Sequence, residues 1–320
     1  MKFFENAREG KNHWLLYLAL FGVAYLIAQI PTIVYLPILV VRKTMNGEMP
    51  TPQNGNFAEA FQASMAMFND IPGFVVMMLS FLFWFGAIWL FFKMFHKRER
   101  MTLISGDKRF RFGHFFWGML LYGVLTTAIT LIPMLLDPDS YTYTFNGADY
   151  FLFLFICIVL VPFQTGCEEL IFRGYLMQGF ALCTKSKVWA LVITSLLFGL
   201  MHSINTEVIT NGFFKTIPIY ILIGASLGFF TIVSDGIEFS WGIHFINNFV
   251  TFTLIGSEDG TMNISPLFTL KSDPVTWASY IPVILVPVVI FLLLRKKYGW
   301  NIKKAFDNSG LVSIEQPEHP

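Results

Sequence analysis

A chain of 320 residues that is 55% hydrophobic and 13% charged, with 36 phenylalanines and a mean hydropathy of +0.59, carries more apolar surface than a water-soluble core of this size can bury. Its net charge of +1, with lysines and arginines at segment ends rather than along one face, excludes the footprint of a nucleic-acid binder. Three cysteines, Cys157, Cys167 and Cys183, follow no zinc or disulfide spacing and read as small buried hydrophobes; Glu168 beside Cys167 disfavours a thiolate nucleophile there.

The N-terminal MKFFENAREGKNHW leads into an apolar run too long for a signal-peptide core and without a small-x-small cleavage site, so it reads as a retained first span. About eight segments suffice, or nearly so, to cross roughly 30 Å of hydrocarbon as helices. They lie near 14–41, 72–95, 114–136, 149–168 (with a continuation toward 183), 187–203, 217–234, 239–256 and 276–294. The expected fold class is all-α, a polytopic integral membrane protein. The loop 43–71, with Pro50, Pro52 and Gly55, reads as irregular, and the tail from 305 as disordered.

Basic residues set the expected orientation. Lys2, Arg8 and Lys11, the run from Lys93 to Arg111, Lys185 and Lys187, and the cluster from Arg295 to Lys304 fall on one side of an eight-span arrangement. Arg42, Lys43, Lys215 and Lys271 fall on the other, so the positive-inside rule places both termini in the cytoplasm. Trp241, Trp277 and Trp300 suit an interfacial aromatic belt, and Asp70, Asp137, Asp139, Asp149, Glu258 and Asp259 read as solvated loop residues.

The fourth span carries Cys-Glu-Glu-Leu-Ile-Phe-Arg-Gly at 167–174, three charges at a depth where charge costs several kcal/mol. Glu169 and Arg173 stand i, i+4 with the acid toward the N-terminus, the favourable order for a pair. Glu168, turned about 100° away, is left over, and a desolvated carboxylate suits general acid–base work near neutral pH. A structural network of all three charges is the alternative. His202 ends the run SLLFGLMH, about as far along the chain from the Lys185–Lys187 turn as Glu169, so helical antiparallel segments would bring the two to matching depth. His244 and Asn248 share a helix face, suited to binding an oxyanion, orienting water or ligating metal, or to joining two spans; Asn247 lies off that face. The 234–240 turn, with Asp235 and Glu238, has to dip into the protein if His244 is deep.

Glu168-Glu169-x-x-x-Arg173, Phe198-x-x-x-His202 and His244-x-x-x-Asn248, in this order on successive apolar segments, resemble the motif set of the CAAX protease and bacteriocin-processing (CPBP, or Abi) family of intramembrane proteases. The resemblance covers about 165–250. It implies an integral-membrane endopeptidase, a hydrolase that acts in CAAX-type protein processing, bacteriocin maturation or self-immunity. It also implies four catalytic residues, Glu168 and His202 to activate water and His244 and Asn248 to steady the oxyanion, with Glu169 and Arg173 as the structural ion pair. The family has been described both as metalloproteases and as metal-independent glutamate proteases. No cofactor is thereby fixed: zinc is the metal to consider, with Glu168, His202 and His244 as candidate ligands.

The expected organisation is N-terminal transmembrane helices and loops over 1–148, a protease-like catalytic membrane core over 149–256, a final helix and basic flank over 257–304, and the tail 305–320. The expected partners are the lipid bilayer and a peptide or membrane-associated protein substrate, without nucleic acid, and the expected location is a bacterial plasma membrane. Two rival readings stay open: an ion- or proton-coupled transporter with Glu168 and the histidines as relay, and a catalytically silent membrane scaffold or immunity protein.

Overall fold

The computed structural model describes residues 2–49, 68–258, 260–261, 264–272 and 274–311. Pro50, Pro52, Gly55, Asp259 and the tail beyond residue 311 lie outside the described residues.

All eight expected segments are helical. Helices α2 (Trp14–Ala28) and α3 (Ile30–Met45) form the first, followed by α4 (Ile71–His96) and α5 (Phe112–Leu136). The fourth runs from α6 (Ala148–Glu169) through a π-helical stretch, Leu170–Leu176, into α7 (Met177–Thr184). Then come α8 (Lys187–Met201), a short α9 (Thr206–Asn211), α10 (Phe213–Ser234), α11 (Glu238–Thr253) and α12 (Tyr280–Tyr298). Among the described residues, six helices are long and apolar enough to cross a membrane. The other two, α8 with 15 residues and α11 with 16, rise only about 22–24 Å. α11 packs against α5 and α6 as an inner element, whereas α8 packs against α7 and α10 and leaves Trp189, Leu196 and Leu200 exposed on its other face. The chain is therefore a largely membrane-spanning helical protein.

Glycine lets the inner helices meet at backbone distance. A Cβ at Gly242 would stand 2.0 Å from the Phe115 carbonyl oxygen, and one at Gly118 would stand 2.4 Å from that of Phe239. This small-residue crossing of α5 and α11 is how polytopic membrane proteins pack without a hydrophobic drive between helices.

At one end of the bundle, three short strands depart from the all-α expectation. β1 (Tyr141–Tyr143) pairs antiparallel with β3 (Phe268–Leu270), and β3 pairs parallel with β2 (Ile255–Ser257). The opposite end is closed by chain that the hydropathy pattern leaves outside the bundle. Helix α1 (Lys2–Glu5) buries Phe3 and Phe4 completely, Phe3 N donates to Asp235 Oδ1 at 3.0 Å, and Arg98 donates to Ala7 O at 2.8 Å and Gln178 Oε1 at 2.7 Å.

This plug explains the turn before α11. Gly106 N donates to Asp235 O at 2.9 Å and Ile237 N to Ile104 O at 2.8 Å. Arg111 takes the fully buried Glu238 carboxylate in a fork, at 2.8 and 2.7 Å. Burial lowers the Arg111 pKa and the Glu238 carboxylate raises it, with a net rise. The turn lies inside the protein, so His244 is deep even though charged residues precede it.

Several local expectations are corrected. Asp70 is not a solvated loop residue: it accepts from Gly73 N at 2.8 Å as the cap of α4 and pairs with Arg42 and Lys43. Trp300 is buried against Phe230 and Phe239, and Trp241 donates to Pro162 O at 2.9 Å within the bundle, so only Trp277 keeps a belt-like exposure. Cys157 and Cys167 are buried as expected, whereas Cys183 is exposed. Residues 305–311 pack rather than trail away: Lys187 Nζ donates to Ala305 O and Asp307 O, and Leu311 is buried.

Candidate active site

The site is built from four helices, and its centre is the last turn of α6. Glu169 is fully buried and accepts from Arg173 at 2.7 Å, the i, i+4 pair expected from the sequence. Arg173 lies within the π-helical stretch, donates to Gly224 O on α10 at 3.0 Å and stands over the Phe198 ring of α8, 4.4 Å from its centroid. The pair thus ties α6, α8 and α10 together. π-Helical insertions recur at functional sites because they re-aim side chains relative to a regular helix.

The same Glu169 oxygen accepts from His244 Nδ1 at 2.8 Å. A carboxylate oxygen at that distance fixes the proton on Nδ1 and turns Nε2 outward. That Nε2 lies 3.6 Å from Glu168 Oε2, beyond a direct hydrogen bond but within reach of a bridging water. His244 therefore stands between the two glutamates.

Glu168 is not left over. Gln164, one turn earlier on α6, donates to its Oε1, and 14% of the Glu168 side chain stays exposed to the cavity it lines. Asn248 donates from Nδ2 to Gln164 Oε1 at 3.0 Å, and Asn247 donates to Asn248 Oδ1 at 3.2 Å. Tyr122 on α5 donates in turn to Asn247 Oδ1 at 3.2 Å.

His202 caps the end of α8. Its Nδ1 faces Phe198 O at 2.7 Å, which makes Nδ1 the protonated nitrogen and leaves the Nε2 lone pair available. Its ring stacks on Tyr220 at 4.2 Å between centroids and 17° between planes. Tyr220 donates to Glu207, whose other oxygen accepts from Thr261 N at 3.1 Å and Thr261 Oγ1 at 2.6 Å. This ties α9 to the segment after β2.

Glu168, His202, His244 and Asn248 all line one cavity of about 660 Å³, a volume typical of ligand sites. Its remaining wall is largely apolar, with Met78, Trp84 and Phe172 among its residues. Glu169 and Arg173 are nearly inaccessible, behind that wall. Glu168 and His202 share the cavity without a direct hydrogen bond; the imidazole nearest Glu168 is that of His244.

The three candidate zinc ligands do not converge: among the described residues, no three His, Cys, Asp or Glu side chains form a metal-holding group. The donor set therefore does not fit a zinc site with three or more protein ligands. Sequence reasoning missed Gln164, Tyr122, Tyr220 and Glu207. Only Gln164 carried a signal, standing i, i+4 before Glu168 on the same helix face.

Residues 148–250 match the family model described as type II CAAX prenyl endopeptidase Rce1-like. The chain is also 32% identical over 221 residues to the uncharacterized protein YyaK of Bacillus subtilis (strain 168), covering 68% of this chain and 74% of that relative. No solved structure matches.

Proposed function

The chain belongs to the type II CAAX prenyl endopeptidase Rce1-like family, and we propose that it is an intramembrane endopeptidase in a bacterial plasma membrane, hydrolysing a peptide bond in a membrane-associated protein or peptide. The observation that carries this reading is the pairing of an accessible carboxylate, Glu168, with an imidazole, His244, held in one tautomer by a second, buried carboxylate. A general base, a polarised neighbour and an orienting group are what hydrolysis of an amide needs.

In the proposed reaction, Glu168 takes a proton from water as the water oxygen bonds to the substrate carbonyl carbon. His202, with its Nε2 lone pair turned outward, accepts the other water hydrogen and fixes the attack direction. His244 and Asn248 donate to the oxygen that becomes negative, from Nε2 when the imidazole is protonated and from the second Nδ2 hydrogen. Glu168 returns its proton to the amide nitrogen as the carbon–nitrogen bond breaks, which leaves a carboxylic acid, an amine and the original carboxylate. Glu169 and Arg173 hold the frame. No step runs through a metal.

By family resemblance, the physiological setting is CAAX-type processing, bacteriocin maturation or self-immunity. The test is cleavage of a panel of CAAX-type and leader-type peptides by purified protein, with and without chelator. We expect cleavage by the wild type that survives chelation and a loss of at least about 100-fold in Glu168→Gln. Full turnover by Glu168→Gln would contradict the proposal.

A further inference from the structure

Gln164 is a buried amide inside a membrane helix, and an amide there needs partners for both its donor and its acceptor. Its partners belong to a continuous chain: Tyr122 on α5, Asn247 and Asn248 on α11, Gln164 and Glu168 on α6. The direction of this chain follows from its end. An ionised carboxylate only accepts, so Gln164 offers its NH2 group to Glu168 and keeps its carbonyl for Asn248. Asn248 then donates with Nδ2 and accepts at Oδ1, which Asn247 Nδ2 fills, and the Tyr122 hydroxyl completes the row on Asn247 Oδ1. Each donor points toward Glu168, and hydrogen bonds aligned in this way polarise one another.

We propose that Gln164 is a positioning residue for Glu168, acting as the last donor of a four-member relay that begins at Tyr122. This rests on the reading of Glu168 as the catalytic base. The relay fixes one carboxylate oxygen, Oε1, and leaves Oε2, the one facing His244, for water. It also gives Asn248 two tasks: one Nδ2 hydrogen is committed to Gln164 and the other remains for the substrate. Asn247, off the catalytic face of α11, becomes the link between α5 and the base.

Infrared difference spectra test this without requiring turnover. Subtracting the spectrum of Glu168→Gln from that of the wild type isolates the Glu168 carboxylate stretch. We expect Gln164→Leu to shift that band, and Tyr122→Phe, which removes only the distant hydroxyl, to shift it the same way by less. In the peptidase assay, Gln164→Leu should lower kcat by roughly 10–100-fold with KM nearly unchanged, the scale of one lost hydrogen bond to a charged group. In a Gln164→Leu background, Tyr122→Phe should add nothing further, since its effect passes through Gln164. An unmoved carboxylate band in either variant overturns the relay. A moved band in a protein that cleaves no peptide supports the relay and counts against the peptidase reading; an unmoved band with Glu168-dependent cleavage does the reverse. Should Gln164→Leu fail to fold, Tyr122→Phe alone decides by the same band.

Discussion

In the proposed mechanism five charged or titratable residues, Glu168, Glu169, Arg173, His202 and His244, hold the chemistry of this site, and burial divides their work. Glu169 and Arg173 are sealed off, so removing one leaves the other buried without its partner. Arg173→Met or Glu169→Leu should each lower stability by about 3–5 kcal/mol, read as a fall in melting temperature of the detergent-solubilised protein. Replacing both together should cost less than the sum of the two. His202 offers a contrasting test. Tyr220→Phe keeps the ring stacked on its imidazole, whereas Tyr220→Leu removes it; we expect a clear loss of kcat/KM only in the second. The Glu169–Arg173 pair was legible in the sequence because i, i+4 spacing is local. The His244–Glu169 bond was not, because 75 residues separate the two and only the fold brings them together. For the same reason Glu168 takes Gln164 from its own helix, whereas the Asn248 that holds Gln164 arrives only through tertiary contact.

Helix by helix, the apolar runs in the sequence anticipate the positions of all eight segments, since hydrocarbon-facing helices must be continuous and apolar. Their roles were less legible. Helices α8 and α11 are the short ones, and both bring site residues to the cavity. The π-helical stretch at Leu170–Leu176 left no pattern to read, since its apolar residues continue those of the helices on either side. The crossing of α5 and α11 depends on glycine at the contact. Gly242→Ala forces a methyl group against the Phe115 carbonyl and should cost about 1–3 kcal/mol as an overpacking defect. Because Tyr122 and Asn247 sit on these two helices, the same variant should also reduce peptide cleavage, and melting and turnover measured on one preparation check both effects together.

The whole molecule is a membrane bundle closed at one end by its own N-terminal segment. Phe3 and Phe4 fill space beneath the buried turn that begins α11, which links residues far from the cavity to the depth of His244. Deleting residues 2–8 should lower the melting temperature while leaving the cavity residues in place, so KM for a cleaved peptide should change less than the yield of folded protein. Hydropathy gave no hint of this plug, because a short segment with charges on either side of its two aromatics scores as a loop. The central claim is that Glu168 is the base of a peptidase. It is tested most directly by peptide cleavage with purified wild type and Glu168→Gln at matched folded concentration. The account requires cleavage by the first and its near-complete loss in the second, with unchanged melting; equal cleavage by both proteins would contradict it.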